Sequence, residues 1–174
     1  MDPTFDPLDE ARRQWERHDL AEPEAMVAAT SIIRVQQLVS AAVERTLRPF
    51  QLTFARYEVL MLLCFSRTGA LPITKMGERL MVHPTGITKL VDKLEQQGLV
   101  AREPNPDDRR GTLARITPAG RRLAAEATEA VTAQRFGVPL EGDELARLVE
   151  LLGRFRRRAG DPHAPAVPAD GARR

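Results

Sequence analysis

Four side chains suited to contacting a polyanion lie close together in the middle of the chain. They are hydroxyl and ammonium groups, which hydrogen-bond to base edges or pair with phosphates: Thr85, Thr88, Lys89 and Lys93. Apolar residues recur every three or four positions in the same segment, at Ile87, Leu90, Val91 and Leu94. This spacing predicts a helix with an apolar face turned inward and a polar face turned outward.

A second amphipathic helix is predicted immediately before the first, over residues 73–80. The short segment Met81-Val82-His83-Pro84 separates the two and predicts a sharp corner, with Pro84 as the first residue of the second helix. Gly98 is placed to end that helix. Two helices joined in this way predict a helix-turn-helix, whose second helix enters the major groove of DNA. An ordinary solvated helix face is the alternative for the polar side.

A basic hairpin is predicted directly after the second helix. Residues 99–103 and 112–116 have the composition of short strands, and the turn-forming segment 104–111 between them contains Arg109 and Arg110. Such a hairpin is a wing that reaches along phosphates or into a minor groove. Its presence favours nucleic-acid binding over the solvated face.

The distribution of charge agrees with this interpretation. The net charge of the 174 residues is only +2. Residues 73–122 contain 10 basic and 6 acidic groups, however, whereas residues 1–24 contain 3 basic and 8 acidic groups. Positive charge is therefore concentrated on the segment expected to meet phosphates.

Catalytic and metal-binding chemistry is not indicated. The three histidines are scattered, and no metal-ligand spacing, phosphate-binding glycine loop or nucleophile elbow is present. We therefore expect neither an enzyme nor a bound cofactor or metal. The single cysteine, Cys64, excludes an internal disulfide, and residues 1–20 are acidic without an apolar core. We expect a cytoplasmic protein that does not enter a membrane.

The remaining segments predict a mostly α protein with a small β wing. We divide the chain into an N-terminal extension helix (1–20), a dimerisation helix (21–50), a winged helix-turn-helix domain (51–120), C-terminal dimerisation helices (121–158) and a disordered tail (159–174). Leu71 is expected to add a short strand beside the wing, and the apolar run Val59–Phe65 to be buried on all sides. The terminal helices have more apolar surface than such a domain can cover, which predicts a two-fold homodimer.

The motifs around the predicted wing resemble those of the MarR family of bacterial winged helix-turn-helix regulators. The resemblance rests on residues 88–100 (TKLVDKLEQQGLV), on Asp108-Arg109-Arg110 and on residues 116–120 (ITPAG). It implies a dimeric transcription regulator, expected to be a repressor, that binds double-stranded DNA at a palindromic operator and responds to a ligand. In wings similar to this one Asp108 orients an arginine, here Arg110. Thr74 and Lys75 are expected to contact phosphates.

One subgroup of regulators similar to this chain has an added N-terminal helix with a tryptophan and responds to urate and related anions. That resemblance implies a small anionic effector, urate or a polycarboxylate. The effector would bind at Trp15, at Arg34 or Arg45, and at Glu58, which stands where the subgroup has Asp. A Trp face and a guanidinium can bracket a planar or carboxylate anion. Alternatively, Trp15 only docks the extra helix and the arginines pair at the surface.

Three further hypotheses concern single residues or the whole chain. His83 stands where the family more often has a small hydroxyl residue, so we expect operator affinity to depend on pH through its imidazole. Cys64 could be a redox switch, although its apolar neighbours favour core packing. The chain could also be a helical dimerisation or adaptor module that uses a winged helix for protein contacts only.

Overall fold

The chain folds into seven α-helices and a three-stranded antiparallel sheet within residues 5–80, 84–106 and 108–162, which the computed structural model describes. For residues 84, 85, 109 and 110 only the backbone is described. The helices are α1 (Pro7–Arg17), α2 (Pro23–Leu47), α3 (Phe54–Phe65), α4 (Ile73–Leu80), α5 (Pro84–Gln96), α6 (Pro118–Ala133) and α7 (Gly142–Arg158). The strands are β1 (Ala70–Pro72), β2 (Val100–Asn105) and β3 (Asp108–Ile116), and 3-10 turns lie at Arg48–Phe50 and Arg135–Gly137. The described residues fall into two compact units, divided after Gly137.

The first unit contains the core, built from the inward faces of α3 to α6, the sheet and the end of α2. Of the four side chains predicted to face inward on α5, Ile87, Val91 and Leu94 are fully covered, and Leu90 is half-buried against the core. They meet Val59, Leu60, Leu63 and Met76 and the alanines of β3 and α6, all within one apolar cluster. Burying these side chains supplies the main driving force that fixes α5 against the rest of the domain.

The wing hairpin is longer than the sequence predicts. Strand β3 lies between β1 and β2, with Ala70 opposite Arg115 and Val100 opposite Ile116. The predicted strand beside the wing at Leu71 is confirmed. The prediction that residues 104–111 are turn holds at Pro106 but was wrong for residues 104–105 and 108–111, because strand pairing continues through Pro104 opposite Thr112 to Asn105 opposite Asp108. The proline tolerates this position because it lies near the hairpin tip, where a register shift follows it.

Capping and close packing fix the ends of the helices around the wing. Thr53 and Thr117 cap α3 and α6, accepting hydrogen bonds from the backbone N–H of Arg56 (3.3 Å) and Gly120 (3.0 Å). A Cβ at Gly120 would overlap the carbonyl oxygen of Leu99, so only glycine lets α6 approach the start of the wing. The helix pair, the wing and α6 are therefore held in one arrangement.

The prediction that the run Val59–Phe65 is buried on all sides was wrong at its end. Val59, Leu60 and Leu63 are fully covered, but Cys64 is only half-buried and Phe65 is 79% exposed. A continuous apolar run has no periodicity from which the exposed face can be recognised.

Helix α2 is long and largely uncovered. On this helix only Val43 and Leu47 are buried, whereas Ile32, Ile33, Val35 and Leu38 are each more than 40% exposed. The segment Pro23–Phe50 is long and apolar enough to cross a membrane. Its most apolar stretch of 18 residues has a mean hydropathy of 1.4, and 6% of that stretch is buried. An apolar surface of this size indicates a site of contact with another molecule.

The second unit contains α7, which is amphipathic. Its first turn carries Asp143 and Glu144 and its last turn three arginines, an arrangement that suits the helix dipole. Four of its large apolar side chains are exposed: Val149, Leu151, Leu152 and Phe155. The predicted tail falls largely on residues 163–174, which lie outside the described residues.

Candidate nucleic-acid interface

Helix α5 presents a polar surface opposite its buried apolar stripe. Thr88, Lys89, Lys93 and Gln96 are exposed, and the ammonium of Lys93 donates to the side-chain oxygen of Gln96 at 3.1 Å. The 3.6-residue repeat puts Lys89, Lys93 and Gln96 on neighbouring turns of one side, which we call the lysine stripe. Thr85 lies in the first turn of the same helix.

Helix α4 adds two more of the predicted contacts. Thr74 and Lys75 are exposed in its first turn, while Met76 and Gly77 beside them are buried. A cation at this position can pair with a phosphate while the buried residues anchor the helix.

The wing positions the predicted arginines on a defined backbone. Arg109 and Arg110 lie in β3 directly after Asp108, the first residue of that strand. The side chain of Asp108 lies over Gly111, beside the amide of Asn105. The expected contact between Asp108 and Arg110 involves a side chain outside the described residues, and so does every statement about His83. These assignments stay predictions.

An ion-pair network that the sequence did not predict joins α5 to the wing. The guanidinium of Arg102 on β2 donates from Nη2 to Asp92 at 2.5 Å and from Nη1 to Glu95 at 2.8 Å. The backbone N–H of Arg102 also donates to Glu95, at 3.2 Å. Hydrogen bonding to Asp92 is the largest of the causes that raise the pKa of Arg102 above its ordinary value. Asp92 lies outside the buried stripe of α5, and its carboxylate is paired with the wing.

A second arginine ties the other strand of the wing to the body of the domain. Arg115 on β3 donates from Nε to both carboxylate oxygens of Glu103, at 2.7 and 2.8 Å, and from Nη1 to the carbonyl of Thr68 at 2.9 Å. Thr68 belongs to the turn before β1. The wing is thus fastened to α5 on one side and to the α3–β1 connection on the other.

The four predicted effector residues have separate surroundings in the described part of the chain. The indole N–H of Trp15 donates to the carbonyl of Ala21 at 2.9 Å, which docks α1 against the start of α2. Arg34 donates to Gln37 on its own helix at 3.2 Å, and Arg45 is exposed. Glu58 lines an open cleft, and within the described residues no hydrogen bond or ion pair joins any two of the four.

The cleft beside Glu58 is apolar and large enough for a small molecule. Its volume is about 510 Å³, and it is bounded by residues of α3, α4 and α6 and of the turn after α6: Phe54, Tyr57, Glu58, Met61, Leu62, Phe65, Leu80, Thr128, Thr132 and Phe136. Burial raises the pKa of Glu58, the one ionisable carboxyl in this lining, above its ordinary value of 4.5. Burial also raises the pKa of the Cys64 thiol, with the charge of Arg121 opposing it.

Comparison with known proteins agrees with this geometry. The MarR family profile matches residues 52–112, from the start of α3 to the wing. The multiple antibiotic resistance protein MarR of Escherichia coli is 30% identical over 122 residues, covering 68% of this chain and 83% of the relative. The crystal structure of Sco5413, a MarR family transcriptional regulator from Streptomyces coelicolor, is 46% identical and superposes with a TM-score of 0.73 over 80% of this chain and 97% of that one.

The chain belongs to the MarR family. It is therefore a winged-helix, DNA-binding transcriptional regulator and not an enzyme, as the sequence predicted. A mutant of Escherichia coli MarR, solved in complex with operator DNA, is also similar, with 27% identity and a TM-score of 0.67 over 76% of this chain and 95% of that one.

Proposed function

We propose that this MarR-family protein is a repressor that binds a palindromic operator as a homodimer and leaves it when a small anion binds. The observation that carries the DNA-binding part is the exposed lysine stripe of α5, directly opposite the buried stripe Ile87, Val91 and Leu94. A helix anchored on one side and cationic on the other is suited to the major groove. A mobility-shift assay on the DNA immediately upstream of its own reading frame tests it, since binding must appear and must weaken steeply with salt.

The residues of the interface have distinct proposed roles. Thr85, Thr88, Lys89 and Lys93 contact base edges and phosphates in the groove, and Thr74 and Lys75 contact phosphates beside it. Arg109 and Arg110 serve as wing contacts with Asp108 as support, and His83 contributes a pH-dependent contact. Substituting a phosphate-contacting lysine should weaken binding to all sequences, whereas substituting a base-reading threonine should relax specificity at one position.

The homodimer is supported by the apolar surface of α2. Ile32, Ile33, Val35 and Leu38 are exposed on a helix that carries Arg34 near its middle. A bilayer would impose a large cost on that guanidinium, while a protein interface lets it remain at the solvated rim. Covering with a second copy is therefore favoured over insertion into lipid. Sedimentation equilibrium should give twice the chain mass, and Ile33→Glu with Leu38→Glu should shift the protein toward monomer.

The ligand response is supported by the apolar cleft and by the pKa of Glu58. Because burial raises that pKa, protonation of Glu58 is less costly than for a solvated carboxyl. A protonated carboxyl can donate a hydrogen bond to a carboxylate or urate anion, so anion binding would take up a proton. The arginines of α2 and Trp15 are the other proposed ligand contacts. Titrating tryptophan fluorescence with urate and with citrate tests the proposal, and no response to either anion would remove it.

The operator release we propose is a population shift. The ligand can lower operator affinity only by binding more tightly to a dimer conformation in which the two copies of α5 do not fit the two halves of the palindrome. Half-sites about 34–36 Å apart would fit two recognition helices one helical turn apart. Adding urate or citrate to the operator complex should release DNA at ligand concentrations that also change the fluorescence.

Two other functions remain as competing proposals with defined tests. An adaptor that uses the winged helix for protein contacts would show no salt-dependent DNA binding. A redox regulator based on Cys64 would lose operator binding with peroxide, and Cys64→Ser would abolish that response. The raised pKa of the Cys64 thiol disfavours the second proposal, because the thiolate is the reactive form.

A further inference from the structure

Arg102 on β2 forms ion pairs with two carboxylates of α5, an interaction that the proposed function does not use. The acidic pair, Asp92 and Glu95, follows a different line along the helix from the lysine stripe, and Arg102 reaches it from β2. Its side chain is 29% exposed, and those of Asp92 and Glu95 are 43% and 39% exposed. We call these three residues the wing tie.

The residues of the wing tie lie on both sides of the turn between α5, the proposed reading helix, and the wing. Glu95 and Asp92 lie 7 and 10 residues before Arg102, and Gly98 turns the chain between them with a φ of +71°. The backbone bond from Leu99 N–H to the Leu94 carbonyl, at 2.9 Å, closes that turn. Because the guanidinium binds both carboxylates through a planar fork, it restricts rotation of α5 relative to β2 as well as their separation.

A solvated ion pair is the ordinary explanation for charges at a surface, and such pairs contribute little. Two features distinguish the wing tie. Arg102 makes three hydrogen bonds to two residues, one of them from its backbone. The partners also belong to the two elements that meet DNA in the proposed function, so their relative orientation determines whether both can engage one site.

We propose that the wing tie is a positioning device that sets the angle between the reading helix and the wing, and that Asp92 and Glu95 thereby promote DNA binding despite their negative charge. The inference rests on the proposed DNA-binding function. It makes the opposite prediction to simple electrostatics, which expects any carboxylate removed from beside a polyanion to strengthen binding.

The test is Asp92→Ala with Glu95→Ala, measured on two duplexes of equal length and composition. One duplex is the DNA upstream of the protein's own reading frame, and the other has the same bases in shuffled order. Although the variant loses two negative charges, we expect it to bind the first duplex about tenfold more weakly, within the roughly 2-fold to 150-fold range of coupling between interacting residues. The ratio of the affinity for the upstream duplex to that for the shuffled duplex should fall, because the variant can no longer hold α5 and the wing at the angle that lets both contact one site.

Three controls separate positioning from charge and from misfolding. Glu78→Ala removes an exposed carboxylate of α4 that is outside the tie, and binding should be equal or tighter. Arg102→Lys keeps the charge and one ion pair, so its affinity should lie between those of the wild type and Arg102→Gln. Asp92→Asn alone is close to isosteric and serves if the double variant unfolds; thermal unfolding by circular dichroism establishes which variants fold.

The outcomes discriminate between the two proposals. If the folded Asp92→Ala and Glu95→Ala variant binds the upstream duplex as tightly as the wild type or more tightly, the positioning role is refuted. The same holds if the affinity ratio between the duplexes does not change. If the wild type itself binds neither duplex in dilute buffer, the proposed function fails instead.

Discussion

The lysine stripe leads to the sharpest quantitative prediction. Lys89 and Lys93 are both exposed on α5, and within the described part of the chain neither takes part in a salt bridge. Their charges are therefore available to phosphates. Replacing both by glutamine removes two cations while keeping the length and polarity of the side chains.

The size of the effect follows from counterion release. Each neutralised phosphate contributes about 0.9 to the slope of log K against log salt, so two lost contacts should reduce that slope by about 1.8 per subunit. Between about 50 and 200 mM salt, the affinity of the wild-type subunit should therefore fall about 12-fold more than that of the variant. For a dimer in which both reading heads engage, the slope difference doubles.

The assay is fluorescence anisotropy of a labelled upstream duplex over a series of salt concentrations. The matched control is Arg13→Gln with Arg17→Gln, two exposed cations of α1, which should leave the slope unchanged. Loss of affinity without a change in slope would mean that the lysines act other than by pairing with phosphates. A slope equal to that of the wild type at equal affinity would refute the assignment of α5 as the reading helix.

Three further predictions concern the framework and the cleft. Thr117→Ala removes the hydroxyl that accepts from Gly120 N–H at 3.0 Å and should cost about 1 kcal/mol of unfolding free energy, measured by urea denaturation. Gly120→Ala places a Cβ against the Leu99 carbonyl oxygen and should cost about 1–3 kcal/mol or more in the same assay; a neutral result would show that α6 can shift away from the wing. Because burial raises the pKa of Glu58, the contribution of its protonated form to stability is full below 4.5 and is lost as pH rises through the folded value. Glu58→Gln should therefore gain stability relative to the wild type as pH rises from about 4 to about 7. The measurement is the thermal unfolding temperature of both proteins over this pH range, and a difference between them that does not change with pH would contradict the burial of that carboxyl.

Helical periodicity predicted the parts of the site that a single element determines. The inward set on α5 was predicted from spacing alone, and with it the outward position of Lys89, because both follow from 3.6 residues per turn. The caps Thr53 and Thr117 are equally local features, because each hydroxyl accepts from an N–H three residues further on. These features need no knowledge of the neighbouring elements.

Features that depend on two elements were missed or misjudged. Asp92 lies on the outward side of α5, but which molecule it meets is decided by Arg102, which comes from a strand whose exact placement the sequence did not predict. The exposure of Phe65 depends in the same way on which neighbours cover the end of α3, and a uniformly apolar run contains no signal for it. A basic residue early in β2, at a spacing of seven from a glutamate of the preceding helix, was the available clue to the wing tie.

The ties around the wing also restrict how a ligand could regulate the protein. Arg102 fastens β2 to α5, and Arg115 fastens β3 to the turn at Thr68. The part of the protein formed by α5 and the wing should therefore move as one body. A ligand in the Glu58 cleft would instead act between α3 and α6, which are joined there by a hydrogen bond of 3.1 Å between the hydroxyls of Tyr57 and Thr128. In the proposed release mechanism, reversing an operator-competent population from 99:1 to 1:99 requires about 10⁴-fold tighter ligand binding to the other state, so the cleft would have to differ substantially in shape between the two states. Tyr57→Phe removes this hydrogen bond and should therefore alter ligand-induced release while leaving the DNA affinity of the ligand-free protein unchanged. An equal effect on both would refute the idea that the cleft acts independently of α5 and the wing.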